Sequence, residues 1–289
     1  MSERLELCTT LLILATAVVS YLGFQNRRLE GKCIFNPERI LAGKEYHRLV
    51  TAAFLHAGWE HLLLNLITLQ LFGSLVEREL GHGDFLLIYF GSVIGGNLLS
   101  LYVHRRHQYL AYGASGGVCG IVFAYVLLDP HGGIAPFFLP IFVPGWLYAL
   151  GFMLGSFYGL RRNAGNIGHD AHLGGAVCGL LVAAALRPEL VGANPLMFLL
   201  VLGVSVALLV CLWLRPLYLP AGPWLQRRAR KASPRPHRRE TLEVDAILDK
   251  ISRDGLESLS AEERAVLSQV SAKYRRREES KKPDSDLAI

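Results

Sequence analysis

Three short segments hold the side chains whose types and spacing could do chemistry. In 59-WEHLLLN-65, His61 and Asn65 stand four residues apart, so a helix puts them on one face, a turn apart. In 111-AYGASGGVCG-120, Ser115 is surrounded by Gly113, Gly116, Gly117 and Gly120. In 166-NIGHDAHLGGAVCG-179, His172 precedes Gly175 and Gly179. A serine hydroxyl is a weak nucleophile until a neighbouring base takes its proton, and histidine is the usual base. The tetrahedral intermediate that follows needs preplaced donors. The amide of Asn65, the ring N–H of His61 and the backbone N–H at Ser115 are of the right kind. The chemistry indicated is acyl transfer.

These groups must be positioned by membrane spans. Of the 289 residues 52% are hydrophobic, and several windows reach the roughly 20 apolar residues that a helical crossing needs. Spans are expected near 5–24, 60–79, 84–103, 113–128, 138–160, 170–186 and 195–217. The first apolar run is too long for a typical signal core and lacks a clear cleavage site, so it is read as a span. If the spans alternate in direction, the N-terminal ends of the second, fourth and sixth lie on one side of the membrane and carry His61, Ser115 and His172. Gly116 with Gly120, and Gly175 with Gly179, each form a small-xxx-small face that lets two helices approach closely. Polar side chains inside a span are costly and call for a partner or a task.

The fold class expected is all-α: a six-span core over 1–190, an added span over 191–218, a basic linker over 219–239 and a soluble helical hairpin with its tail over 240–289. The net charge is +6, and the basic linker, next to a span, fits anionic headgroups better than nucleic acid. In the hairpin, Ser260 and Glu263 form a capping-box signature, and a partner of unknown identity is expected for it. Cys8, Cys33, Cys119, Cys178 and Cys211 are scattered, which fits neither a disulfide framework nor a CxxC metal site. No cofactor is expected.

In the segments HLLLN, GASG and AHLGGAVCG, in that order and at span ends, the sequence resembles the rhomboid intramembrane serine proteases. The approach 45-EYHRLVTAAFLHAGWEHLLLN-65 is similar to the family's run into its second span. The resemblance covers roughly 5–187 and implies a six-span core with a Ser–His dyad and no third acid. It implies Ser115 as nucleophile, His172 as base, His61 and Asn65 as oxyanion-hole donors, and Gly113 in the loop shaping that hole. Substrates would be single-span membrane proteins, reached past a fifth span whose Trp146, Phe152 and Phe157 gate access. A multi-pass location in a bacterial plasma membrane follows. Two departures stand out: His47-Arg48 replaces the family's Trp-Arg, and Cys119 stands where an aromatic ring often stacks on the base, leaving Asp170 or His169 to help orient His172.

Other readings stay open. Small residues and histidines also serve helix packing, and His56, His82, His104, His107 and His131 are expected at solvated or headgroup-facing ends. His61, His169, Asp170 and His172 include imidazole and carboxylate ligands suited to zinc, although a metal site leaves the glycines around Ser115 unexplained. A membrane protein that binds transmembrane clients without cutting them is the third alternative. The family implies an active site opening away from the cytoplasm, whereas the basic residues flanking the spans point the other way.

Overall fold

The computed structural model describes residues 6–106, 108–135, 142–162, 167–214, Ile247, Lys250 and 259–268. Two compact units are present, Met1–Leu225 and Gln226–Ile289. The first begins with α1 (Leu7–Gln25), followed by the short helices α2 (Arg27–Cys33), α3 (Pro37–Leu41) and α4 (Arg48–Thr51) and a 3-10 turn, Ala52–Phe54. Next come α5 (Trp59–Thr68), a π turn (Leu69–Gly73) and α6 (Ser74–Leu80), then α7 (His82–His104) and α8 (Ser115–Leu128). A small hairpin of β1 (Gly133–Ile134) and β2 (Val143–Pro144) leads into α9 (Gly145–Arg162), α10 (His169–Leu186), α11 (Pro188–Ala193) and α12 (Pro195–Leu214).

Among the described residues, five helical stretches are long and apolar enough to cross a membrane: Leu7–Gln25, Trp59–Leu80, His82–His104, His169–Leu186 and Pro195–Leu214. Ser115–Leu128 is apolar but shorter, and α9 carries Arg161 and Arg162 in its last turn. The molecule is a polytopic helical membrane protein, as its composition indicated.

The core is a three-helix sandwich with α10 in the middle, and glycine sets its spacing. On one face of α10, a Cβ on Gly174 would lie 2.9 Å from the Gly95 carbonyl of α7, and one on Gly96 would lie 2.5 Å from the Ala171 carbonyl. On the other face Gly175 meets the backbone of Gly116, and Gly179 meets that of Gly120. Backbones in contact gain dispersion over their whole length, which in lipid replaces the missing hydrophobic drive between helices. Gly120 is hemmed in also by Ser92 of α7, which closes the sandwich on its third side.

Buried charge fixes the periphery. The Glu77 carboxylate accepts from the Cys8 N–H (2.8 Å), the Thr9 N–H (2.7 Å) and the Thr9 hydroxyl (2.6 Å). A helix start leaves its first N–H groups without partners, and Glu77 supplies them for α1 from across the bundle. At the opposite end Arg48, fully buried, binds the Glu45 carboxylate through Nε (2.6 Å) and the carbonyls of Gly31 (3.0 Å) and Ile34 (2.7 Å).

The polar stretch from Gln25 to Tyr46 folds into α2 and α3, each capped by an asparagine side chain, Asn26 and Asn36. One expectation needs correction. The fifth helix, expected from 138, begins at Gly145, and Val143–Pro144 are strand. Proline disfavours helical backbone at the residue before it and supplies no N–H, so Pro144 marks the boundary.

In the second unit the linker and most of the hairpin lie outside the described residues. Residues 261–268 are helical, and Ser260 and Glu263 make the reciprocal capping pair, the Ser260 N–H donating to Glu263 (2.8 Å) and the Glu263 N–H to Ser260 Oγ (3.2 Å). Lys250 pairs with Glu263 at 2.9 Å.

The glycine spacing makes a contrast measurable. Gly179→Leu forces a side chain into the Gly120 backbone, whereas Gly151 of α9 faces open space. Gly179→Leu is expected to destabilise by ~1–3 kcal/mol or more and Gly151→Leu to leave stability near wild type, compared by thermal denaturation in detergent.

Candidate active site

The turn that opens α8 is held by the segment preceding α5. The Gly113 N–H donates to the Ala52 carbonyl (3.0 Å), and the Ala114 N–H donates to His56 Nε2 (3.2 Å). Gly113 sits at φ +141°, left-handed backbone that side chains rarely adopt. Space forbids a side chain as well: a Cβ there would lie 2.8 Å from His61 Cε1, 2.9 Å from His61 Nε2 and 3.6 Å from Ser115 Oγ. His61 and Ser115 therefore converge on the face of Gly113. The helical ladder of α8 starts with the Val118 N–H donating to Ala114 (3.0 Å). Among the described residues the N–H groups of Ser115, Gly116 and Gly117 have no backbone acceptor, as at any helix start, and such a terminus favours negative charge.

His61 Nδ1 receives the Ala57 N–H over a long 3.5 Å. That contact assigns the ring proton to Nε2, the atom facing Gly113. Asn65, buried one turn on, donates from Nδ2 to the His61 carbonyl (2.8 Å). One of its two amide hydrogens is so engaged and the second remains.

His172 is brought to the same end of the sandwich by the glycine contacts. Gly116, next to Ser115, and Ala171, next to His172, touch: a Cβ on Gly116 would lie 3.3 Å from the Ala171 carbonyl. Both Ser115 and His172 are half-buried. No hydrogen bond joins them among the described residues, which is common when no substrate tightens a dyad. The His172 ring packs near-parallel to Phe152 of α9, with centroids 6.1 Å apart and planes at 28°. Tyr148 stacks on Phe152 in turn, at 5.9 Å and 24°. The aromatic support that Cys119 lacks thus arrives from the neighbouring helix. Of the other proposed gating rings, Phe157 lies under the Arg161 guanidinium at 5.6 Å.

The histidine survey of the sequence fails at two positions. His56 and His104, expected to be solvated, are both buried. His104 Nε2 lies 3.0 Å from Asp170, and its ring stacks on Tyr109 at 3.5 Å. Asp170 precedes His172 by two residues, about 200° around the helix, and so turns toward α7 and away from His172's side. That commitment to His104 weakens the zinc reading, which needs Asp170 beside His61 and His172. Among the described residues the one group with metal-ligand proximity is Cys8, Glu77 and His82, where Glu77 already caps α1. Burial of His56 had one sequence signal: it lies five residues before His61, in a short apolar stretch with no other polar group.

Comparison with known proteins gives the Rhomboid domain family over residues 43–189 and a family of unknown function over residues 235–273. YdcA of Bacillus subtilis is 42% identical over 88 residues, 30% of this chain and 44% of that protein. Rhomboid protein 1, mitochondrial, of Saccharomyces cerevisiae is 30% identical over 137 residues, 46% of this chain and 40% of its own. Rhomboid protease GluP of Bacillus subtilis is 33% identical over 156 residues, 53% of this chain and 29% of its own. The chain spans less than half the length of each of these relatives.

The His56 burial has a consequence for stability. Lack of solvent, reinforced by the neighbouring His61 ring, pushes its pKa from 6.5 down to about 3. The unfolded chain takes up the proton near 6.5, so the contribution of His56 is full above that pH and is lost as pH falls from 6.5 toward 3. Wild-type protein should lose up to about 1.4 kcal/mol per pH unit from this residue in that window. His56→Gln should show a shallower fall of the thermal midpoint between pH 7 and pH 5.

Proposed function

This chain belongs to the rhomboid family, and from that premise we propose that it is an intramembrane serine endopeptidase working through Ser115 and His172. The observation that carries the reading is the convergence at Gly113, where His61 Nε2 and Ser115 Oγ face the same side-chain-free backbone. A peptide carbonyl placed there meets the serine on one side and an N–H donor on the other. His172 takes the hydroxyl proton as Ser115 Oγ bonds to the carbonyl carbon. The oxyanion is held by His61 Nε2–H, the remaining Asn65 amide hydrogen and the free N–H groups at the start of α8. His172 then returns the proton to the leaving amine, and water, deprotonated by the same ring, releases the acyl group.

Substrates in this proposal are single-span membrane proteins whose helix unwinds locally, since a hydrogen-bonded helix conceals its carbonyls. Access runs beside α9, where Phe152 links the gate to His172. Relatives in Bacillus subtilis support a bacterial plasma membrane as the location. The division into a protease core to 190, an added span to 218, a linker to 239 and a soluble hairpin beyond remains part of the same proposal.

The client-binding alternative holds the same groups without using them. Reactivity decides between the two. A fluorophosphonate probe should label purified wild-type protein, and Ser115→Ala and His172→Ala should each lower labelling by about 10³-fold or more. Folded wild-type protein that stays unlabelled would leave the client-binding reading. A metal chelator is expected to leave both labelling and cleavage unchanged, and loss of activity with recovery on added zinc would reverse the assignment.

A further inference from the structure

His56 is a buried titratable group to which the proposed reaction gives no task, and its contacts are unusually complete. The Ser20 hydroxyl has one proton, which it donates to the Phe54 carbonyl (2.9 Å). Its contact with His56 Nδ1, also 2.9 Å, must then be one in which the ring N–H donates to the oxygen. A neutral imidazole protonated at Nδ1 carries a lone pair at Nε2, and that is the atom receiving the Ala114 N–H at 3.2 Å. The edge of the same ring meets His61, with centroids 4.8 Å apart and planes at 71°. The two rings hold opposite tautomers: His61 presents Nε2–H, and His56 presents a bare Nε2.

We propose that His56 is a positioning residue for the Ser115 site, holding the Ala114 N–H with its Nε2 lone pair while its ring edge braces His61. The proposal rests on the protease reading given above. Ala114 directly precedes Ser115, and both Ala114 and His56 are buried, so water cannot substitute as acceptor. Without His56 the Ala114 amide is orphaned, and the turn at Gly113 must move to find a partner. That turn faces His61 on one side and leads into Ser115 on the other. One imidazole, itself anchored to α1 through Ser20, thereby sets the distance between nucleophile and oxyanion donor. Burial holds it neutral, its pKa pushed down to about 3, so the acceptor persists at ordinary pH.

Two substitutions separate positioning from packing. His56→Leu fills the space without an acceptor, whereas His56→Gln places an oxygen close to the position of Nε2. In the purified full chain, His56→Leu should slow fluorophosphonate labelling about ten- to a hundredfold, less than the loss of a direct oxyanion donor. It should lower kcat on a transmembrane substrate with KM changed less than about threefold, because ground-state binding is untouched. His56→Gln should recover labelling to within about threefold of wild type. A folded His56→Leu protein labelled at the wild-type rate, or a His56→Gln protein as slow as His56→Leu, overturns the proposal. A second readout needs no activity: amide hydrogen exchange over residues 111–118, measured in a Ser115→Ala background. Exchange there should quicken about tenfold in His56→Leu and be restored in His56→Gln, and unchanged protection refutes the role. Wild-type protein that fails to label would instead remove the protease reading, with exchange still deciding whether His56 holds the turn.

Discussion

Everything in the site depends on the approach of α8 to α10 with no side chain between them. Gly175 against Gly116 and Gly179 against Gly120 bring the two backbones into contact, and this fixes more than a distance. It sets the level of one helix against the other, so that the residues just before each glycine run, Ser115 and His172, arrive at the same end. In lipid such packing must rely on close contact and not on the release of water. A shift of one turn would move His172 by about 5.4 Å along its axis, beyond reach of the serine.

Around that contact the polar groups divide into those that hold the frame and those left available. Glu77 caps α1, Arg48 gathers three segments of the first loop, and Asp170 is met by His104 beneath the Tyr109 ring. Each of these satisfies a charge or a carbonyl within the scaffold. His56 belongs to the same class, although it touches the working turn directly. What the proposed reaction has left to use is a small set: the Ser115 hydroxyl, the Nε2–H of His61, one hydrogen of Asn65, the His172 ring and the first-turn amides of α8. The site is a remainder, defined by what the scaffold has already satisfied.

The contact between Phe152 and His172 ties the histidine to a helix that the glycine sandwich does not include. α9 touches the sandwich mainly through side chains, and on its far side Met153 meets Ser205 of α12, whose hydroxyl lies 3.4 Å from the sulfur. His172 is therefore sensitive to a helix whose own support comes partly from α12. Family motifs around Ser115 carry no trace of that dependence, because it involves residues nearly forty and about ninety positions away in the chain.

The sequence by itself determined the class of the molecule, most of its helices, the two glycine faces and the identity of the serine, histidine and asparagine candidates. Those features are written in local periodicity, in apolar length and in residue types that hydrocarbon tolerates at few places. The capping pair of Ser260 and Glu263 was legible for the same reason, since its partners lie three residues apart. Only the tertiary structure decided which histidines are buried, where Asp170 turns, that the ring beside His172 comes from α9, and that the loop after α1 is helical. Burial and long-range pairing depend on what the rest of the chain places nearby. A histidine between two helices reads much the same in one dimension whether it faces water or, like His56, the N–H of a residue 58 positions along the chain.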